Sequence, residues 1–304
     1  MTRIVFLGTP EAALPTLLAL SDSFEVGLVV TQPDRPRGRS GRPQPSPVKE
    51  KAQDLGIPVT QPKQRGEIAS AISYAGSFDL GVVVAYGMIL DAEVLALPEA
   101  GLLNVHFSLL PRWRGAAPVA RALMAGDAMT GVTIIQLDEG LDTGPVLTAQ
   151  AVDIGPEEDS AELTGRLARL GARLITSAIP GYLAGDIEPV VQSDDGATYA
   201  HKITAEDRPL DLQGTPAEFV ARVRGLAPEP GATLEIDGER HKILRARDVE
   251  WAPDAGTWAL HGDSPVVAVG EGGVELVELQ PPGKRPQPGA DWARGRRSSQ
   301  GSAG

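Results

Sequence analysis

The sequence predicts an α/β protein in which a doubly wound, mostly parallel sheet of Rossmann-like type is followed by a small antiparallel β-barrel of OB-like type. Apolar runs at Arg3–Leu7 and Leu80–Ala85 alternate with helical segments, and continuously apolar strands between helices are typical of a parallel sheet covered on both faces. After about residue 185 the pattern changes to short β-prone runs separated by turn pairs such as Asp237-Gly238. That second pattern is typical of a small barrel or sandwich.

The predicted elements of the first domain follow from local signals in chain order. The first strand ends at Gly8-Thr9-Pro10, where Thr9 can cap a helix that has Pro10 in its first turn and continues to Leu20. A later helix runs from Ser46 to Leu55 and opens at Pro47. Residues 34–45 are so rich in Pro, Gly and Arg that we expect a long exposed loop before this helix. Further strands are expected at Val26–Thr31, Ile57–Thr60, Leu80–Ala85 and Leu102–His106.

The second domain is expected to begin with a helix from Pro216 to Arg224. The tail from Arg296 to Gly304 is polar and built of small residues, which predicts disorder. We therefore divide the chain into a first domain at residues 1–184, a linker at 185–204 and a β-barrel domain at 205–304. Its strands are expected at Thr233–Ile236, Lys242–Leu244, Val266–Val269 and Val274–Val277.

Composition excludes several kinds of chemistry. The 304 residues include no cysteine and four histidines, so thiol nucleophiles and thiolate metal sites are excluded, and without an HExxH-like pair we expect no metal. The first strand–helix turn lacks the later glycines of a GxGxxG fingerprint, and no GxxxxGK[ST] loop occurs, which disfavours dinucleotide chemistry and ATP hydrolysis. No stretch approaches the roughly 18 apolar residues of a membrane span. We expect a soluble, cytoplasmic monomer without a membrane partner.

Charge is distributed unevenly along the chain. The net charge is −12, yet residues 31–51 carry +4 and residues 281–304 carry another +4, which leaves −20 on the remainder. Basic segments on an acidic body can meet a polyanion locally. The alternative is that these loops only keep the surface solvated, as most charge runs do.

Three side chains suggest a reaction site. With the period of two of a strand, Asn104 and His106 leave the same face of Leu102–His106, and Asp142 lies in a Gly-Leu-Asp-Thr-Gly turn. For acyl transfer to an amine, the amide can stabilise the oxyanion, the imidazole can donate a proton, and the carboxylate can orient the ring and help take the amine's proton. Ser108 as a nucleophile is disfavoured because no GxSxG elbow surrounds it. A buried structural histidine beside a turn-forming Asp is the simpler alternative.

The run Asn104-Val105-His106-Phe107-Ser108-Leu109-Leu110-Pro111-Arg112-Trp113-Arg114-Gly115-Ala116-Ala117-Pro118 closely resembles the signature of folate-dependent formyltransferases. The length of this run makes the resemblance specific. The two-domain length of the chain and its basic loop, residues 34–45, narrow the match to family members that act on tRNA. The resemblance covers nearly the whole chain. Further matching segments are Phe6–Pro10, Thr31–Pro36, Gly131–Ile134, Gly140–Gly144, Tyr199–Ile203 and Leu279–Lys284.

This resemblance implies that formyl passes from 10-formyltetrahydrofolate to the α-amino group of methionine on initiator methionyl-tRNA. It implies that Asn104, His106 and Asp142 are catalytic. It also implies a folate-binding segment whose backbone lines the pterin site, formed by Ser108, Leu109, Leu110 and Pro111. Arg35, Arg37, Arg39, Arg42 and Lys202 would contact tRNA, with Arg39 and Arg42 preferred.

Two rival interpretations remain open. A related folate-dependent enzyme could formylate a nucleotide sugar amine or glycinamide ribonucleotide, although the latter family lacks a C-terminal barrel and the former need not have the arginine-rich loop. A non-catalytic RNA-binding protein could use the same scaffold. The intact set of Asn104, His106 and Asp142 disfavours that last interpretation.

Overall fold

Strands and helices alternate through the first half of the chain, and strands dominate the last quarter. The computed structural model describes residues 1–36, 41–296 and 298–304. The strands are β1 (Arg3–Gly8), β2 (Glu25–Val30), β3 (Arg35–Pro36), β4 (Pro43–Gln44), β5 (Val59–Thr60), β6 (Leu80–Val84), β7 (Leu102–His106), β8 (Arg114–Gly115), β9 (Met129–Gln136), β10 (Val146–Asp153), β11 (Tyr199–Ala200), β12 (Ala232–Ile236), β13 (Glu239–Val249), β14 (Thr257–His261), β15 (Ser264–Val269), β16 (Gly272–Gln280), β17 (Gln287–Pro288) and β18 (Gln300–Ser302). The α-helices are α1 (Leu14–Ser23), α2 (Pro47–Asp54), α3 (Glu67–Tyr74), α4 (Ala92–Leu95), α5 (Pro118–Met124), α6 (Ser160–Ala184), α7 (Pro216–Leu226) and α8 (Gly289–Arg294). Short 3-10 helices cover Glu11–Ala13 and Ala205–Asp207.

The described residues form two units. The first comprises residues 1–118, 130–153 and 164–200, and the second comprises residues 119–129, 154–163 and 201–304. Residues 185–204 are predicted as a linker, yet this segment is included in the first unit as far as residue 200. Within the described residues, none of the helices combines the length and the apolar character that crossing a membrane requires.

The first unit contains the predicted mostly parallel sheet, with strand order β10-β9-β7-β6-β1-β2-β5. Strands β5, β2, β1, β6 and β7 run parallel, and β9 runs antiparallel to β7. All five residues of β6 and of β7 are buried, as a parallel sheet covered on both faces requires. Gly8 lies opposite Val84, and Val83 lies opposite Asn104, so β1, β6 and β7 end at one edge of the sheet. Strand order reverses between β1 and β6, and such an edge is where open α/β sheets bind ligands.

The start of the first helix differs from its prediction. The α-helix begins at Leu14 after a 3-10 turn, and no side chain caps it. Thr9 does not serve as the cap because its hydroxyl donates to the carbonyl of Tyr86 at 2.9 Å. Thr9 therefore ties the β1 turn to the loop after β6. Helix α2 begins at Pro47 as predicted, and the Ser46 side chain caps it by accepting from the Lys49 N–H at 3.0 Å.

The base of the basic loop, predicted as a long exposed loop at residues 34–45, contains a short ladder. Arg35 pairs with Gln44 and Pro36 with Pro43 in a two-residue antiparallel ladder, which the fixed extended φ of proline accommodates. Behind it, Lys49 Nζ donates to Asp34 Oδ2 at 2.8 Å, and Gln61 Nε2 donates to Asp34 Oδ1 at 2.7 Å. The Lys49 hydrogen bond is the main cause of a lowered pKa of Asp34.

The second unit contains a curled antiparallel sheet with strand order β12-β13-β16-β15-β14-β18, and β17 pairs with β16. Helix α7 extends from Pro216 to Leu226, and a capping box between Thr215 and Glu218 starts it. The core of this unit is apolar and includes two tryptophans that meet edge to face at 4.9 Å. Its largest members are Leu210, Phe219, Leu226, Leu234, Ile236, Ile243, Trp258, Leu276, Leu279 and Trp292.

The C-terminal tail is structured, so the prediction of disorder for this segment is wrong where the structure describes it. Strand β18 pairs with β14, and Ala303 bridges Ile236 of β12. The tail therefore joins the two ends of the strand path. Asp237 holds it there: its carboxylate accepts from the Ser302 N–H at 3.0 Å and from the Trp258 indole at 3.2 Å. Composition does not reveal this order, because the residues that bind the tail lie far from it in sequence.

Ala303→Asp should destabilise the second unit by about 2–4 kcal/mol, because it places an unpaired carboxylate at a position that is 7% exposed. Gln300→Asp adds the same charge at an exposed position of the same tail and should change the free energy of unfolding by less than about 0.5 kcal/mol. Urea unfolding followed by tryptophan fluorescence measures both. Equal midpoints for the two variants would contradict closure of the sheet by the tail.

An ion pair between Arg121 and Asp207 holds residues 201–207 of the second unit in place. Arg121 Nη1 donates to Asp207 Oδ1 at 2.6 Å and Nη2 donates to Oδ2 at 3.0 Å. Asp207 also accepts from the Thr204 N–H at 2.8 Å. These contacts, the arginine first, lower the pKa of Asp207 below its ordinary 3.8. The Arg121 side chain also donates to the carbonyl of His201 at 3.1 Å, so one guanidinium orders residues 201–207.

Asp207→Asn should lose about 1–3 kcal/mol of stability at pH 7. A lowered folded pKa means that the unfolded state binds the proton more tightly, so this stabilisation is complete above pH 3.8 and disappears as the pH falls through the folded pKa. The gap between the parent chain and the variant should therefore shrink below pH 3.8 in pH-resolved thermal melts. The exposed Asp263→Asn is the control, and a constant gap at all pH values would refute this account.

Candidate functional site

The C-terminal end of strand β7 presents an amide and an imidazole at the carboxyl edge of the sheet. Asn104 is 8% exposed and His106 is 5% exposed. Both approach the carboxylate of Asp142, which lies 38 residues beyond Asn104: Asn104 Nδ2 is 3.4 Å from Oδ1, and His106 Nδ1 is 3.7 Å from Oδ2. The structure thus brings together the three side chains that the sequence nominates as catalytic.

Asp142 has an unusual backbone conformation, and its carboxylate accepts a hydrogen bond from the backbone of Gly115. Its φ of +53° lies in the left-handed region, which a residue with a side chain occupies at a cost of about 1–3 kcal/mol. Asp142 Oδ2 accepts from the Gly115 N–H at 2.8 Å. Glycine is required at this position, because a Cβ on residue 115 would meet the carbonyl of Ala200 at 2.8 Å. Ala85 and Trp113 also have positive φ and follow strands or turns at this end of the unit.

The hydrogen bonding of His106 defines which ring nitrogen is available. Nε2 lies 2.8 Å from the carbonyl of Trp113. A carbonyl only accepts, so Nε2 carries hydrogen and donates to it. Nδ1 is therefore the nitrogen that faces Asp142 and can exchange a proton. The contact from Asn104 to Asp142 is long for a hydrogen bond, so its amide can turn to a developing oxyanion at little cost.

The segment Ser108–Pro111 is fixed against β9. Ser108 Oγ donates to the carbonyl of Arg112 at 2.6 Å, and Thr133 Oγ1 donates to the carbonyl of Ser108 at 2.7 Å. Thr133 Oγ1 also accepts from the Leu110 N–H at 3.1 Å. Ser108 is fully buried, which argues against its use as a nucleophile. Leu109, Leu110 and Pro111 remain partly exposed.

The nominated basic residues are distributed over both units. Arg35 and Arg42 are exposed at the base of the loop, and Arg35 Nη2 donates to Gln32 Oε1 at 3.2 Å. Arg37 and Arg39 lie outside the described residues. Lys202 is exposed in the second unit, and its carbonyl accepts from Arg121. The second unit also has a cavity of about 240 Å³, lined in part by Arg208, Arg240 and Lys242.

A polar network behind Asp142 was not predicted from the sequence. Gln192 Nε2 donates to the carbonyls of Asp142 and Gly144 at 2.8 and 2.7 Å. Gln192 Oε1 accepts from Arg114 Nε and Nη2 at 3.2 and 3.1 Å. Arg114 is 2% exposed and donates to Asp194 Oδ1 at 3.0 Å. The only sequence signal for Arg114 is its place in the long Asn104–Pro118 run, and Gln192 has none.

Family comparison agrees with the two-part organisation. The chain matches the formyl transferase family over residues 2–179 and the formyl transferase C-terminal domain over residues 202–297. It is 48% identical over 302 residues to the methionyl-tRNA formyltransferase of Halorhodospira halophila, covering 97% of this chain and 96% of that protein. It is 46% identical over 297 residues to the methionyl-tRNA formyltransferase of Roseobacter denitrificans, covering 96% and 95%.

A solved structure supports the fold at much lower identity. An N-formyltransferase from Helicobacter canadensis, in complex with folinic acid and dTDP-3-aminofucose, superposes with a TM-score of 0.71 at 16% identity, covering 92% of this chain and 100% of that one. At that identity the likeness concerns the fold.

Proposed function

The chain belongs to the formyl transferase family, and on that premise we propose that it transfers formyl from 10-formyltetrahydrofolate to the α-amino group of methionine on initiator methionyl-tRNA. The reaction rests on the convergence of Asn104, His106 and Asp142 at the carboxyl edge of the sheet. The choice of methionyl-tRNA as the acceptor rests on 48% identity over 97% of the chain to a protein named for that activity. Identity to the sugar enzyme, the N-formyltransferase in complex with dTDP-3-aminofucose, is 16%.

The amine attacks the formyl carbon directly, and no covalent enzyme intermediate forms. The new C–N bond creates a tetrahedral carbon whose oxyanion takes a hydrogen bond from the Asn104 amide. The proton that the amine loses passes to Asp142 and from there to His106 Nδ1, 3.7 Å away. Nδ1 then gives this proton to N10 of the folate as the bond between N10 and the formyl carbon breaks, which returns both side chains to their starting forms. Protons and electrons balance without a metal or a redox partner.

The folate cosubstrate would bind beside this edge. Leu109, Leu110 and Pro111 offer partly exposed apolar atoms on a backbone fixed by Thr133. Leu141, next to the catalytic carboxylate, is 54% exposed although apolar. Apolar walls with a few fixed polar groups are characteristic of cofactor sites. The folate-bound sugar enzyme with the same fold supports this class of donor.

The tRNA would meet the basic loop, with Arg35, Arg37, Arg39 and Arg42, and also Lys202 of the second unit. Asp34, which precedes Arg35 in the sequence, is paired with Lys49, so its charge is balanced by that lysine. The cationic cavity of the second unit adds a place for backbone phosphates. A monomeric state and a cytoplasmic location stay predictions from the sequence.

Asp142→Ala should lower the rate of formylation of methionyl initiator tRNA about 10²- to 10⁴-fold, because the proton acceptor and the partner of His106 are removed. Binding of tRNA should remain nearly unchanged. Quenched-flow formylation and filter binding measure the two quantities. The exposed Asp186→Ala carries the same charge change and should keep parental turnover. Retained turnover in Asp142→Ala would overturn the proposed role of Asp142 as the proton acceptor.

Replacing both Arg39 and Arg42 with Ala should weaken tRNA binding and lower the slope of log K against log salt by about 1–2, since each lost phosphate contact releases about one counterion fewer. Alanine at the exposed Arg169 and Arg173 of α6 is the matched control for charge. Salt titrations of tRNA affinity check the difference. A rise in the folate KM alone would mean that the loop serves the other substrate.

A further inference from the structure

We propose that Gln192, locked by Arg114, is a positioning residue that holds Asp142 in its reactive conformation. This inference rests on the proposed function and adds two residues to its machinery. Gln192 makes four contacts, and they use both ends of its amide: Nε2 donates to the carbonyls of Asp142 and Gly144, while Oε1 accepts twice from Arg114.

The orientation of this amide has one chemical solution. A guanidinium has only donors and stays charged, so the group that faces Arg114 must be the oxygen of Gln192. The NH₂ group then faces the Asp142 loop, where both partners are carbonyl oxygens and can only accept. Flipping the amide would oppose donors to donors and acceptors to acceptors, and all four hydrogen bonds would be lost. Arg114 therefore sets the direction in which Gln192 donates.

Burial gives Arg114 a reason to keep this arrangement. Its side chain is 3% exposed, and a charged group with so little water needs its donors satisfied by protein atoms. Asp194 supplies a carboxylate that is itself 93% exposed, so this ion pair is screened. Gln192 Oε1 takes two of the remaining donors. Loss of the Gln192 oxygen would leave a buried guanidinium with unpaired donors.

The segment that carries Gln192 is anchored on both sides. On one side Val190 and Val146 exchange backbone hydrogen bonds at 2.7 and 2.8 Å. On the other, β11 pairs with β8, so that Tyr199 lies beside Arg114 and Ala200 beside Gly115. The same strand β8 thus supplies the Gly115 N–H that binds the Asp142 carboxylate and the Arg114 side chain that orients Gln192. In this clamp, Gly115 binds the Asp142 carboxylate directly, while its neighbour Arg114 acts on the Asp142 carbonyl through Gln192.

The consequence is kinetic. Without the clamp, Asp142 can relax from its φ of +53° towards ordinary backbone conformations, and its carboxylate leaves His106 and Asn104. Chemistry suffers because small misplacements of a reacting group reduce rates strongly. The four hydrogen bonds of Gln192 go to Asp142, Gly144 and Arg114, and none of them reaches the segment Ser108–Pro111 or the described part of the basic loop. Gln192 variants should therefore lose kcat while keeping the KM of both substrates.

Gln192→Glu is the sharpest variant, since a carboxylate still accepts from Arg114 but cannot donate to the carbonyls of Asp142 and Gly144. We expect kcat for formylation of methionyl-tRNA to fall about 10- to 100-fold, with KM for folate and tRNA within about twofold. Gln150→Glu makes the same change at an exposed position of β10 and should match the parent. Gln192→Ala, which adds no charge, is the second variant and should also lose kcat selectively.

The outcomes separate the two ideas. Formylation by the parent together with an unchanged kcat in Gln192→Glu and Gln192→Ala would overturn the positioning role alone. Loss of kcat, substrate binding and melting temperature together in both variants would also overturn it, because Gln192 would then be needed for folding only. Absence of formylation by the parent would refute the proposed function itself. Selective loss of kcat with intact folate binding supports the clamp.

Discussion

The left-handed backbone of Asp142 is the constraint on which the candidate site depends. A φ of +53° costs about 1–3 kcal/mol, and it persists because surrounding groups bind both ends of the residue. The Gly115 N–H binds the carboxylate and Gln192 binds the carbonyl. These bonds form only if β8, β11 and the loop between β9 and β10 fold together. Folding thereby places a carboxylate next to the two polar residues of β7, and no metal ligand set is needed to assemble the site.

Each unit is stabilised by a polar link between residues far apart in sequence. In the first unit the Arg114–Gln192 pair spans 78 positions. In the second, Asp237 captures Ser302 across 65 positions, and Arg121 captures Asp207 across 86. Hydrogen bonds to charged groups contribute more than neutral ones, and each of these three links includes a charged side chain. The chain is acidic apart from its basic segments, and some of its carboxylates, such as Asp207 and Asp237, are bound by donors within the fold.

Much of the fold and part of the site could be predicted from the sequence. The continuously apolar runs of β1 and β6 predicted the parallel sheet, because strands buried on both faces are apolar throughout, and the strand period placed Asn104 and His106 on one face. Local patterns could not predict Gln192, since it lies in a polar stretch typical of a linker and acts through tertiary hydrogen bonds. The C-terminal tail was predicted to be disordered for the same reason. Its Gly and Ser residues carry no local signal for a strand, and a tertiary hydrogen bond to the Asp237 carboxylate orders them. Thr9 resembled a helix cap, but its hydroxyl bonds across the sheet to Tyr86.

The central claim is direct formyl transfer to one particular amine. It is tested most directly by offering the purified protein 10-formyltetrahydrofolate together with methionyl initiator tRNA, methionyl elongator tRNA and a nucleotide sugar amine in one competition. The account predicts formyl-methionine on initiator tRNA as the dominant product, with stoichiometric release of tetrahydrofolate. Formylation of the sugar amine in preference to the tRNA, or folate turnover without a formylated acceptor, would contradict it.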